Sequence, residues 1–277
     1  MKDKNTFGYT GFASMHNLET TKIGKNIKKP QIKDTWDKIW KQYPDTIPED
    51  SPIVLELKKD LTKWIESCAG HKMVLEAGCG TGIISALLAK DRHTKTTLLD
   101  ISLEALIISK KSLLKYGAEK LLIRGDLFQM PFADGVFDVT WNAGVLEHFQ
   151  GYDQILALKE MAMVTKPGGY IIVYVPFSKG VFYRIGKWWA EKTGKWEFGI
   201  EVPVTSLHKK GVSAGLTLVN EYPICAKEQI NFLSQYIMKG TSRVVRYLLG
   251  WIPKSLWVRL FGAYLLACIF KKDEKTI

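Results

Sequence analysis

The chain has 277 residues, 46% of them hydrophobic, enough to bury a full core as one large domain or two small ones, with no low-complexity tract or internal repeat. Its formal charge of +11 is confined to the ends: residues 1–41 hold nine Lys against four acids, residues 239–277 hold eight Lys or Arg against two, and residues 42–238 carry 22 of each sign. A neutral centre speaks against a nucleic-acid-coated body and leaves the basic character to whatever the ends touch, an anionic membrane surface or an acidic partner, or to two solvated ends.

Residues 1–33 are Lys-, Asn-, Thr- and Gly-rich with weak periodicity and read as a mobile arm in which Phe7, Tyr9 and Phe12 hint at docking. The opening M-K-D-K-N-T has no apolar core, so no secretory signal is expected. Trp36, Ile39 and Trp40 share one helical face before Pro44 and Pro48 break the pattern, as core residues or as an arm folded over a ligand. Ser51 with Pro52 starts a helix through Leu55, Leu57, Leu61, Trp64 and Ile65 that ends near Gly70.

Met73 to Gly82 reads M-V-L-E-A-G-C-G-T-G, a buried strand, a tight turn and then a helix from Ile83 to about Lys90. Gly78, Gly80 and Gly82 lack the Cβ atoms that would hold a ligand off the backbone, which suits a nucleoside cofactor. A dinucleotide fingerprint wants a third glycine where Ile83 stands, which weakens an NAD-type assignment. The G-x-G-x-G behind Glu76 instead resembles the first motif of the class I S-adenosylmethionine-dependent methyltransferases.

Further matches follow in order. Strand two, Thr96 to Leu99, ends at Asp100, where a carboxylate can accept from both ribose hydroxyls or merely cap the helix of residues 102–115. After strand three, Leu121 to Arg124, Asp126 matches the acid that in this family meets the adenine amino group, a plain turn aspartate being the alternative. Met130 to Val139 resembles the run into strand four, Phe137 to Trp141, and Asn142 to Phe149 the loop between cofactor and acceptor. Lys166-Pro167-Gly168-Gly169 reads as the turn that launches strand five, Ile171 to Val175. The resemblance is to the small-molecule and quinone-type members and covers about residues 70–176. It implies an α/β, Rossmann-like, seven-stranded, mostly parallel sheet with the last strand antiparallel and helices on both faces. It also implies S-adenosylmethionine as cofactor, held by Glu76, Gly78, Cys79, Gly80, Gly82, Asp100, Ile101, Asp126, Leu127, Asn142 and Ala143.

Beyond strand five, a helix is expected at Thr205 to Ala214, strand six at Leu216 to Glu221 and the last strand at Ala263 to Phe270. The resulting division is an N-terminal basic arm and helix at 1–50 and a methyltransferase domain at 51–277, with aromatic and basic insertions at 177–200 and 222–262. Trp188, Trp189 and Trp196 mark the first; Tyr247, Trp251 and Trp257 among Lys239, Arg243, Arg246, Lys254 and Arg259 mark the second. Such stretches suit a lid, a membrane or lipid-substrate contact, or a protein contact.

The implied reaction is in-line attack on a sulfonium methyl, which leaves a neutral sulfide and requires no metal. Glu147 and His148 are the titratable pair beside the expected methyl position, with Tyr183 and His208 as weaker candidates; His16, His71 and His93 have no motif around them. The acceptor expected is a small hydrophobic or lipid-like molecule, with peripheral contact to an anionic membrane; an RNA methyltransferase and a non-catalytic cofactor-binding interaction protein are the alternatives. Cys68, Cys79, Cys225 and Cys268 form no C-x-x-C pair, and no apolar run approaches the ~20 residues of a spanning helix, so the default is a cytoplasmic chain with reduced thiols, either free or associated with a membrane surface.

Overall fold

In the computed structural model, which describes residues 29–42, 49–70, 72–90, 94–118, 121–237 and 241–274, the apolar runs form one seven-stranded sheet of order β3-β2-β1-β4-β5-β7-β6. The strands are β1 (Lys72–Ala77), β2 (Thr94–Asp100), β3 (Leu122–Arg124), β4 (Phe137–Ala143), β5 (Thr165–Pro176), β6 (Leu216–Ile224) and β7 (Leu265–Lys272). β1 to β5 are parallel, β7 is antiparallel to β5, and β6 is antiparallel to β7, as expected of this sheet. The expected arm up to residue 28, the break at Pro44 and Pro48, and His16, His71 and His93 lie outside the described residues.

Strands covered on both faces read as unbroken apolar runs because successive side chains enter opposite layers. On β5, Ile171, Val173 and Val175 join α5 (Tyr152–Val164) through Ala157, Leu158 and Met161. Ile172 and Tyr174 join α2 (Pro52–Glu66) through Val54, Leu57, Leu61 and Ile65, and α3 (Ile83–Ala89) through Ile84 and Leu88. Each such buried side chain contributes about 1.5–3 kcal/mol. Leu106 and Leu113 of α4 (Leu103–Lys115) pack beside Leu98 of β2.

Several boundaries differ from the sequence reading. Ser51 precedes α2 with Pro52 at its start, but its side chain makes no capping bond. Lys166 to Gly169 is a bulge inside β5, since Thr165 pairs with Phe137 and Tyr170 with Val139. A Cβ on Gly169 would lie 2.7 Å from the Asp138 carbonyl. The Asp138 carboxylate accepts from Lys166 Nζ and from the Met73 amide, each at 2.8 Å, and so bolts β1, β4 and β5 together.

The expected helix at Thr205 to Ala214 shortens to α7 (His208–Ser213), which follows α6 (Val181–Lys192). β6 runs on to Ile224, so the second insertion begins at Cys225. It consists of α8 (Asn231–Tyr236), α9 (Thr241–Leu249) and α10 (Lys254–Phe261) around a small core of Ile230, Ile252, Trp257 and Ala263. Its ends meet, the Tyr264 amide donating to the Cys225 carbonyl at 3.1 Å. All four cysteines are free thiols, and no helix among the described residues is long and apolar enough to cross a membrane.

Candidate active site

The chain passes from β1 outward to β2 and β3, then returns to β4 on the other side of β1, so a crevice opens where the carboxyl ends of β1 and β4 diverge. Glu76 near the end of β1 and Asn142 near the end of β4 are buried, and Glu76 Oε2 and Asn142 Oδ1 have no hydrogen-bond partner. Burial pushes the Glu76 carboxyl up to about 8. The two leave the sheet on opposite faces, Glu76 in register with Trp141 toward α3 and Asn142 onto Met161 of α5, so Glu76 Oε2 is the orphaned acceptor beside the glycine loop and fits a ligand that brings an amino group.

The glycine loop hooks over β2: the Gly78 and Cys79 amides both donate to the Leu99 carbonyl, at 2.8 and 3.0 Å. The three glycines make room for protein neighbours rather than for open space. A Cβ would lie 2.7 Å from Val145 at Gly78, 2.7 Å from Trp40 at Gly80 and 2.5 Å from Leu98 at Gly82. Positive φ at all three adds a backbone reason for glycine. α4 pins the loop from behind, Ser109 Oγ donating to the Gly80 carbonyl and Ser112 Oγ to the Thr81 carbonyl, both at 2.8 Å. Cys79 Sγ lies 3.4 Å from Ser109 Oγ, and burial raises its thiol well above the usual range.

Asp100 joins the loop to β2. Its carboxylate accepts from the Gly80 amide and from the Ser102 amide, each at 2.9 Å, and burial raises it to about 6. Capping of α4 falls to Ser102, whose Oγ accepts from the Ala105 amide at 3.3 Å. Each Asp100 oxygen keeps a lone pair for a ligand hydroxyl. Ile101 is half-buried, and its carbonyl accepts from Arg124 Nε at 3.3 Å. Asp126 accepts the Phe128 amide at 2.9 Å, which is the turn role, while Leu127 packs into the core.

α1 (Lys29–Gln42) lies across this loop. Trp40 covers Gly80, Asp37 accepts from Ser102 Oγ at 2.5 Å, and Trp36 sets its ring edge-on to His148 with centroids 4.9 Å apart. Both tryptophans thus pack on protein, Trp40 on the glycine loop and Trp36 on His148.

On the far side, Glu147 and His148 sit in a short 3-10 turn after β4. Glu147 is buried with Oε2 unpartnered, and burial with the neighbouring Glu201 charge raises its carboxyl well above the usual range. His148 Nδ1 lies 2.9 Å from the Ile200 carbonyl, which fixes that nitrogen as the N–H donor, and burial lowers its pKa. Segment 200–204 is laced onto this turn and onto β5, the Val202 amide donating to the Glu147 carbonyl and the Val204 amide to the Pro176 carbonyl.

That lacing delivers Glu201, a residue sequence reasoning missed; its only sequence signal was an acid within an apolar E-V-P-V. The buried Tyr183 hydroxyl donates to it. Burial raises both Glu201 and Tyr183. Glu147, His148 and Glu201 each bring one ligand atom within 4.8 Å of the others, a set whose geometry admits a cation. His208 is exposed at the start of α7 and stays outside this group. Beside Glu201 a groove of about 420 Å³ runs between segment 201–203 and α6, walled by Arg184, Ile185, Lys187, Trp188 and Glu191.

Residues 75–173 match the family model described as a methyltransferase domain. Malonyl-[acyl-carrier protein] O-methyltransferase of Serratia marcescens is 27% identical over 54% of the chain and 56% of its own length. Demethylmenaquinone methyltransferase of Thermus thermophilus is 31% identical over 41% of the chain and 54% of its own length. The chain thus spans about half the length of these curated relatives. Among solved structures, a chain of the complex between the Haloferax volcanii Trm112 methyltransferase activator and a methyltransferase superposes with a TM-score of 0.60 at 18% identity, covering 86% of this chain and 97% of that one, a likeness of fold.

Proposed function

We propose that the chain, whose residues 75–173 match a methyltransferase domain model, moves a methyl group from S-adenosylmethionine to a small hydrophobic or lipid-like acceptor. The observation that carries the proposal is Glu76 Oε2, a buried acceptor without a partner beside the glycine loop that Asp100 braces. When bound, S-adenosylmethionine supplies a sulfonium methyl; in-line attack breaks the S–CH3 bond, the electron pair stays on sulfur, and the acceptor gains the methyl.

The chain's residues divide the remaining work. Glu76 takes the cofactor's amino group, Asp100 its ribose hydroxyls, and the main chain at Gly78 to Gly80, with Ile101, Leu127 and Ala143, lines its path. Asp126 stands where the adenine amino group is expected. Trp36 and Trp40 close the mouth and exclude water, and alignment of this kind is worth roughly 7–11 kcal/mol in well-oriented reactants. His148, with Nδ1–H on the Ile200 carbonyl, offers Nε2 to the acceptor proton, and burial, which lowers the His148 pKa and raises that of Glu147, favours the neutral form of each. A heteroatom acceptor thus loses its proton to His148 as it gains the methyl.

The groove beside Glu201 supports an acceptor with an apolar body, since Ile185 and Trp188 wall it. Relatives named for a malonyl-carrier ester and a demethylmenaquinone support the same class. An RNA acceptor is less favoured, because the excess of positive charge lies in the two chain ends while residues 42–238 carry 22 residues of each sign. Calorimetric titration with S-adenosylhomocysteine and with NAD, followed by incubation with labelled cofactor and a lysate split into lipid, RNA, protein and small-molecule fractions, tests this. Homocysteine-nucleoside binding and label in the lipid or small-molecule fraction are expected; binding of NAD alone, or label only in RNA, overturns it.

A further inference from the structure

One face of α9 serves neither the core nor the crevice. Val245 and Leu249 turn inward onto the small core of Ile252 and Trp257. Val244, Tyr247, Leu248 and Trp251, spaced i, i+3, i+4 and i+7, form a second apolar stripe that is 58, 83, 57 and 79% exposed. Leu256 and Leu260 of α10 add a shorter exposed pair at i and i+4. A surface helix needs one apolar stripe, so the second is built to be covered. The Trp251 indole N–H already donates to the Leu248 carbonyl at 2.7 Å, so its ring can leave water without stranding a donor.

Charge selects the occupant. No Asp or Glu occurs between Gln229 and Lys272, while Arg243, Arg246, Lys254 and Arg259 punctuate the same stretch. Arg246 is held by Asn231 and Lys254 by Glu56, and Arg243 and Arg259 are exposed. A two-fold contact with a second copy would set these arginines against themselves with no acid in the segment to pair them. An anionic bilayer satisfies both features, with Tyr247 and Trp251 at headgroup depth, Val244 and Leu248 below them and the arginines on lipid phosphates. We infer that α9 and the outer face of α10 dock the protein on an anionic membrane surface. α9 packs on α8, and α8 on α6, the helix that walls the groove beside Glu201. Docking there brings the groove toward lipid, where an acceptor of the proposed class would enter.

Flotation of the full chain with phosphatidylcholine vesicles and with vesicles containing phosphatidylglycerol, at low and high salt, tests the docking without any methyl transfer. Salt-sensitive partition into the anionic vesicles is expected. Arg243→Gln with Arg259→Gln weakens it about thirtyfold, at ~1 kcal/mol per cation. Tyr247→Ala with Trp251→Ala weakens it about tenfold or more. Thermal unfolding and S-adenosylhomocysteine binding of both double variants match the parent, because these side chains are exposed. No partition into anionic vesicles, partition unchanged in both double variants, or sedimentation revealing a Trp251-dependent dimer or a protein complex in place of vesicle binding, overturns the inference.

Discussion

On the proposed cofactor wall, the side chains that brace the glycine loop bond to main chain. Asp100 accepts from the Gly80 and Ser102 amides, and Ser109 and Ser112 donate to carbonyls of the glycine loop. On the acceptor wall, side chains meet other side chains brought from far along the chain, Tyr183 on Glu201 and Glu201 beside Glu147 and His148. Main-chain partners cannot be exchanged by a point substitution, whereas a side-chain cluster can be re-specified one residue at a time.

Three measurements bear on the contrast. Asp100→Ala strands two buried amides as well as the ligand hydroxyls, and calorimetry should show S-adenosylhomocysteine affinity falling about a hundredfold or more; an affinity equal to the parent's would dissolve the distinction. Glu76 gives the next largest effect. With its carboxyl at about 8, a proton must leave before the cofactor's ammonium group can pair with it, so affinity rises by up to about tenfold per pH unit from pH 6 and levels off above about 8.

The same shift has a stability cost of the opposite sense. An acid raised from its ordinary 4.5 to about 8 is destabilising once ionised, so the stability of the unliganded protein falls as pH climbs through that window. Glu76→Gln should flatten both profiles, and a pH-independent affinity in the parent would remove Glu76 from the site. Smallest in expected size, Glu201→Gln should lower labelled methyl turnover about tenfold while S-adenosylhomocysteine affinity stays within about twofold of the parent. A loss of cofactor affinity in that variant would mean that the two walls are one.

The same contrast explains what could be read before folding. The loop from Glu76 to Gly82 and Asp100 were legible because a strand, a tight turn and a helix impose fixed spacings on glycines and acids, and the seven-stranded sheet was expected from the family resemblance those motifs carry. Glu201 was not legible, because its place beside Glu147 is set by main-chain bonds from Val202 and Val204 to partners far back in sequence. Lys166 to Gly169 has turn composition, yet the pairing of Thr165 with Phe137 draws it into β5 as a bulge, a tertiary choice no local pattern announces. The amphipathic face of Trp36 and Trp40 was visible as a stripe, but which surface it covers depends on the missing Cβ of Gly80.

The meeting of Cys225 and Tyr264 gives the second insertion the topology of an oversized hairpin tip. Ile224 pairs with Leu265 directly beneath it, so the β6–β7 ladder closes the excursion whatever its length, and lengthening such a loop costs only about 0.6 kcal/mol per doubling. α9 and α10 are therefore exchangeable cargo on a fixed mount, whereas α8 is tied through Phe232 to Tyr183 and Gly186 of α6. A lineage could replace the outer two helices to address a different surface and leave the groove wall in place.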